Sequence, residues 1–101
     1  MALLSSKKKS INMNDWRLRG QKRYLKGVVL FWATYSPYRE GWDHDHCSFC
    51  WRKFALHGGD FTEGYMTKDR YHWICKECFL DFKDKFGWTL GADTERPTLK
   101  Y

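Results

Sequence analysis

All four cysteines of this chain fall into two Cys-x-x-Cys pairs, Cys47-Ser48-Phe49-Cys50 and Cys75-Lys76-Glu77-Cys78, with 24 residues between them. A pair at this spacing lets two thiolates converge on one ion from a tight turn. Two pairs supply the four soft ligands that tetrahedral zinc takes at a closed structural site. The reading is one structural Zn2+ held by Cys47, Cys50, Cys75 and Cys78. Such a site is coordinatively full, so its metal holds structure and activates no water. The second pair opens a helical run from Cys75 to Phe86, in which Phe79, Phe82 and Phe86 recur at i, i+3 and i+7 as a buried face. Gly87 is a natural stop for it.

Between the pairs, Phe61 to Thr67 and Arg70 to Ile74 read as two strands joined through Lys68-Asp69. A knuckle, a hairpin and a helix whose first turn donates the last two ligands is the treble-clef arrangement of zinc-ribbon-like modules. Upstream, Tyr24, Leu25, Val28, Phe31, Trp32 and Tyr35 fall on one face at a period of 3.6. This predicts a helix from Gln21 that Pro37 stops. The competing reading is a buried strand over Val28–Trp32. Length and periodicity favour the helix. The fold class expected is α+β, an N-terminal helix packed on a treble-clef-like zinc module of knuckle, β-hairpin and C-terminal helix.

A chain of 101 residues is one domain with a thin margin of stability, so a staple is expected. Zinc supplies roughly 10–16 kcal/mol in small zinc-finger peptides. The other staple, a pair of disulfides, needs an oxidising compartment. The start Met1-Ala2-Leu3-Leu4-Ser5-Ser6-Lys7-Lys8-Lys9 lacks the apolar core of a secretory signal, and its charges follow the apolar run. The longest apolar run, Val28–Ala33, falls far short of a membrane span. The expected location is cytoplasmic. Residues 1–13 read as a disordered basic leader, 14–92 as a single zinc-stapled domain, and 93–101 as a loosely ordered tail.

The net charge of +6 is unevenly placed. Residues 1–26 carry eight Lys and Arg against Asp15 alone, a balance of +7, while residues 27–101 sum to −1. The zinc module is neutral to acidic, which weakens a reading as a finger that reads DNA through a basic helix. Arg17, Arg19, Lys22 and Arg23 remain candidate contacts to nucleic acid or another partner.

The run Asp43-His44-Asp45-His46 is where an enzyme would sit. In an extended segment His44 and His46 share one face. Alternating Asp and His can bind a divalent metal or supply a general base. The run resembles the catalytic run of phage recombination endonucleases of the His-Me finger class, which also carry Cys-x-x-Cys pairs. In that class it lies between the two pairs and leads into a ββα metal unit; here it precedes the first pair. The plainer reading makes His44 or His46 a supporting partner of the zinc site or a substitute for one cysteine, with the aspartates capping the knuckle. No deaminase, nucleophile-elbow, P-loop or dinucleotide motif is present.

Aromatic residues make up 19% of the chain. Trp51, Phe54, Trp73, Phe79, Phe82 and Phe86 are expected to form the core around the metal, with a minority of rings free for a stacking platform or a protein interface. Trp42-Asp43-His44-Asp45-His46-Cys47-x-Phe49-Cys50-Trp51, Glu63-Gly64-Tyr65 and Trp73-Ile74-Cys75-x-x-Cys78-Phe79-x-Asp81-Phe82 resemble a group of small bacterial zinc-binding proteins. Gln21-x-x-Tyr24-Leu25-x-Gly27 belongs to the same pattern, so the likeness covers roughly residues 16–88. It implies a bacterial, cytosolic zinc-binding domain and brings no activity with it. The function expected is a non-catalytic interaction module, an adaptor or immunity-type inhibitor with an unidentified protein partner. The alternatives are nucleic-acid binding through the basic N-terminal segment and a metal-dependent nuclease on His44 and His46.

Overall fold

The computed structural model describes residues 15–92, and the expected leader (1–13) and tail (93–101) lie outside them. Within these bounds the chain runs α1 (Lys22–Leu25), β1 (Val29–Thr34), β2 (Asp45–His46), β3 (Lys53–Phe54), β4 (Glu63–Thr67), β5 (Trp73–Ile74), α2 (Lys76–Phe86) and β6 (Thr89–Leu90). Four strands form a sheet in the order β5-β4-β1-β6, and β2 pairs with β3 in a separate two-stranded ribbon. The pairings β5/β4 and β4/β1 are antiparallel, and β1/β6 is parallel. This is a small mixed α/β fold.

The helix expected from Gln21 to Tyr35 is replaced by one helical turn and a strand. Gly27 takes φ +71° and its amide donates to the Phe86 carbonyl at 2.7 Å, which turns the backbone out of α1. The strand then follows over nearly the whole apolar run. Its neighbours Leu30 and Phe31 point to opposite faces, yet both are buried, at 0% and 3% exposure. Where neighbouring strand residues are buried on both sides the sequence reads as a continuous apolar run, and such a run can imitate a helical face. The valines and aromatics of this segment also favour strand geometry.

Register sorts the core into two layers. Trp32 lies opposite Tyr65, and their rings meet at 4.9 Å. Phe79 of α2 stacks on Tyr65 at 4.0 Å, so α2 covers that face of the sheet. Phe82 and Phe86 continue the helix face and pack on Phe49 at 4.8 and 5.3 Å. Trp88, just past the Gly87 stop at φ +67°, closes this layer and donates its Nε1–H to the Leu25 carbonyl at 2.7 Å. On the other face, Ala33 pairs with Gly64, and Phe54 lies directly over that glycine. Tyr35, Phe54 and Trp73 fill this layer. Each fully buried ring removes enough apolar surface from water to contribute about 1.5–3 kcal/mol.

The expected core residues Phe54, Trp73, Phe79, Phe82 and Phe86 are all buried. Trp51 is not: it is 57% exposed, because a left-handed backbone at φ +68° turns its side chain away from the cluster.

Candidate metal centre

The two cysteine pairs are brought together by backbone hydrogen bonds that their own neighbours make. Between β2 and β3 the chain reverses tightly. The Cys47 amide donates to the Arg52 carbonyl at 2.8 Å, and the Trp51 amide donates to the Cys47 carbonyl at 3.1 Å. The turn is then tied to β5, since the Ser48 amide donates to the Trp73 carbonyl at 2.8 Å. Two residues after Trp73 comes Cys75, which caps α2 in an extended conformation, with Cys78 on the first helical turn. The four Sγ atoms lie within 4.8 Å of one another.

The spacing suits a metal. Tetrahedral ligands at a zinc–sulfur distance of ~2.3 Å stand about 3.8 Å apart, and Cys50 Sγ is 3.7 Å from Cys75 Sγ. All four cysteines are free thiols, so no disulfide competes. Cys47, Cys75 and Cys78 are buried, while Cys50 is half-buried at the rim. Backbone amides of Phe49 and Cys75 point at Cys47 Sγ from 3.5 and 3.4 Å, as donors do around a thiolate.

Electrostatics say the same. Hydrogen bonds from Cys75 and Cys78 hold the Cys47 thiol far down, at about 2, and donating those bonds to Cys47 in turn holds Cys75 up at about 12 and raises Cys78. Sulfurs this close cannot all ionise unless a cation neutralises them. Metal entry would therefore displace protons.

Arg17 supplies part of that neutralisation. It is only 8% exposed, its Nη1 sits 3.5 Å from Cys78 Sγ and 2.9 Å from Asp81 Oδ2, and its Nη2 is 2.9 Å from Asp15 Oδ2. Its guanidinium also lies over the Phe82 ring at 4.5 Å. The hydrogen bond to Asp15 is the largest influence that raises its pKa above the ordinary arginine value. Arg17, a candidate contact to nucleic acid or another partner in the sequence, is buried and paired with both carboxylates. Arg19 is exposed and stacks over Trp51 at 4.9 Å, with Nη2 3.4 Å from the Phe49 carbonyl. Lys22 and Arg23 are exposed on α1.

His44 and His46 do share a face, with ring centroids 5.0 Å apart. His44 Nδ1 is 2.6 Å from Asp43 Oδ1, and His46 packs toward Trp51 at 6.2 Å. Among the described residues, the only group of three or more metal-ligand side chains is the four cysteines, and neither histidine belongs to it. Asp45 has a different role: its Oδ2 accepts from Tyr35 Oη and Trp42 Nε1, each at 2.9 Å, which ties the segment before the turn to the core. Burial raises the Asp45 carboxyl above its ordinary range against the pull of those two donors.

Trp51, expected in the core, stands exposed beside the metal centre. Its φ of +68° costs a bulky side chain on the order of 1–3 kcal/mol, and nothing about the sulfur geometry demands an indole there. Its position directly after a Cys-x-x-Cys turn, where glycine is the easier residue, was the available signal. No family model, curated protein or solved structure matches this chain, so the cysteine cluster alone carries the resemblance drawn from its motifs.

Proposed function

We propose that the chain is a non-catalytic protein built on one structural Zn2+ bound by Cys47, Cys50, Cys75 and Cys78, in treble-clef order of knuckle, hairpin and helix. The convergence of the four Sγ atoms within 4.8 Å carries this reading. An all-sulfur donor set favours a soft or borderline ion and leaves no open position for a substrate. What the metal would supply is a fixed junction between the β2–β3 turn and the start of α2. Chain residues supply the rest: Arg17 offsets the negative charge, and the buried rings pack against the junction.

A protein-interaction role, as an adaptor or an immunity-type inhibitor, is supported by a row of surface rings. Trp42, Tyr38, Tyr71, His72 and Tyr24 touch in succession at 5.4, 5.3, 4.9 and 4.7 Å. Tyr71 and Tyr24 are each 47% exposed. Tyr and Trp of this kind dominate the energetics of protein interfaces. The test uses the zinc-loaded protein as bait in extract of its host, beside a Tyr24→Ala, Tyr71→Ala variant of unchanged fold. A partner retained by the first and lost by the second supports the reading. Equal retention by both removes the row from the account.

A further inference from the structure

Strain at Trp51 is the feature of the metal centre that the metal does not require. Glycine satisfies a left-handed position without cost, yet the chain places an indole there and leaves it 57% exposed. Arg19 covers one side of that ring at 4.9 Å, and among the described residues no carboxylate lies in ion-pair range of Arg19. A second indole stands nearby. Trp16, 65% exposed, lines a cleft of about 230 Å³ together with Arg52 and Glu77, floored by Cys50 and Cys78. Two exposed indoles thus stand beside the sulfur cluster, with Arg19 over Trp51 and the Arg52–Glu77 pair lining the cleft with Trp16.

Charge points the same way. Arg19, Lys22 and Arg23 are exposed on the segment that follows Trp16. Flat apolar faces next to cations match a ligand that carries both aromatic rings and negative charge. Single-stranded nucleic acid does: its bases have free π-faces, and its backbone is anionic. A duplex hides those faces inside its stack. A chain of Asp and Glu alone offers charge without rings.

We propose that Trp51 and Trp16, with Arg19, form a binding site for single-stranded nucleic acid. Trp51 and Trp16 stack on bases and Arg19 meets phosphates; Arg17 and Arg52 take no part, because Asp15 and Asp81 pair with the first and Glu77 with the second. The site rests on the metal-held turn, which fixes where Trp51 stands.

The test is fluorescence anisotropy of labelled single-stranded RNA and DNA of about 12 nucleotides, within the site sizes of small stacking domains, titrated with zinc-loaded protein at low and moderate salt. Saturable binding that weakens as salt rises is expected. Trp51→Ala should lower affinity roughly tenfold, in line with the loss of one stacked base. Arg19→Ala should flatten the logarithmic salt slope by about 0.7. Trp51→Gly is the decisive variant: it relieves the backbone strain, so it should melt at the same or a higher temperature while binding more weakly. Leu90→Ala, beyond the far end of α2 from the sulfurs, should leave binding unchanged. No saturable binding at low salt, affinity unaltered by Trp51→Gly, or polyglutamate bound as tightly as the oligonucleotide would each overturn the proposal. Zinc content read on every variant separates these outcomes from failure of the metal-centre reading.

Discussion

Arg17 and Cys78 stand 61 residues apart in sequence and meet across the sulfur cluster, guanidinium Nη1 to Sγ, at 3.5 Å. The same nitrogen reaches Asp81, and Asp15 holds the other side of the guanidinium. A cation placed so deep stabilises only while its partners are present. Its removal leaves two carboxylates and a thiolate facing each other with little water. Arg17→Ala should therefore cost about 3–5 kcal/mol of unfolding free energy. Arg17→Lys should fall between, because one ammonium cannot serve the planar set of three partners. Urea unfolding of the zinc-loaded proteins measures both.

Gly64 is held by space. A Cβ at this position would stand 2.5 Å from Phe54 Cε1 and 3.0 Å from the Ile74 carbonyl oxygen. One contact is a buried ring and the other is backbone, so neither yields cheaply. Gly64→Ala should destabilise by about 1–3 kcal/mol through overpacking, and Phe54→Leu in the same chain should recover part of the loss. Thermal melts of the two variants decide it.

Acid should weaken the fold through His72 and Asp69. Burial lowers the His72 pKa below the ordinary histidine value, so the unfolded chain takes up that proton first. The contribution is complete above about pH 6.5 and is lost as pH falls from there toward the folded value. Burial opposes ionisation of Asp69, but donors from Thr67 and the Tyr71 amide outweigh it and keep the carboxyl below its usual range. Its contribution is present above about pH 3.9 and disappears lower down. Stability should fall between pH 7 and pH 5, and His72→Gln should flatten that part of the curve. Loss of metal is common to both proteins, so the difference between the curves isolates the imidazole.

The sulfur pairs, the hairpin and the phenylalanine face of α2 were legible because each is local: a spacing, a turn, a period. The strand β1 stands in the sequence only as the competing reading over Val28–Trp32, behind the helix. Leu30 is buried on one face and Phe31 and Ala33 on the other, while Trp32 stays 41% exposed, and no window of sequence contains the partners that cover the buried three. The pairing that buries Arg17 is only half local: Asp15 is two residues away, but Asp81 lies 64 residues on. Trp51 was counted as core on hydrophobicity alone, whereas a single backbone angle places it outside.

Zinc content per chain tests the central claim most directly. Protein purified at neutral pH without added metal should carry one zinc ion per chain. A strong chelator should remove it together with the ordered tertiary structure, and adding zinc back should restore both, given apparent binding energies of roughly 10–16 kcal/mol in small zinc modules. A chain that holds no metal and still unfolds cooperatively, with the same stability in chelator as in zinc, would contradict the account.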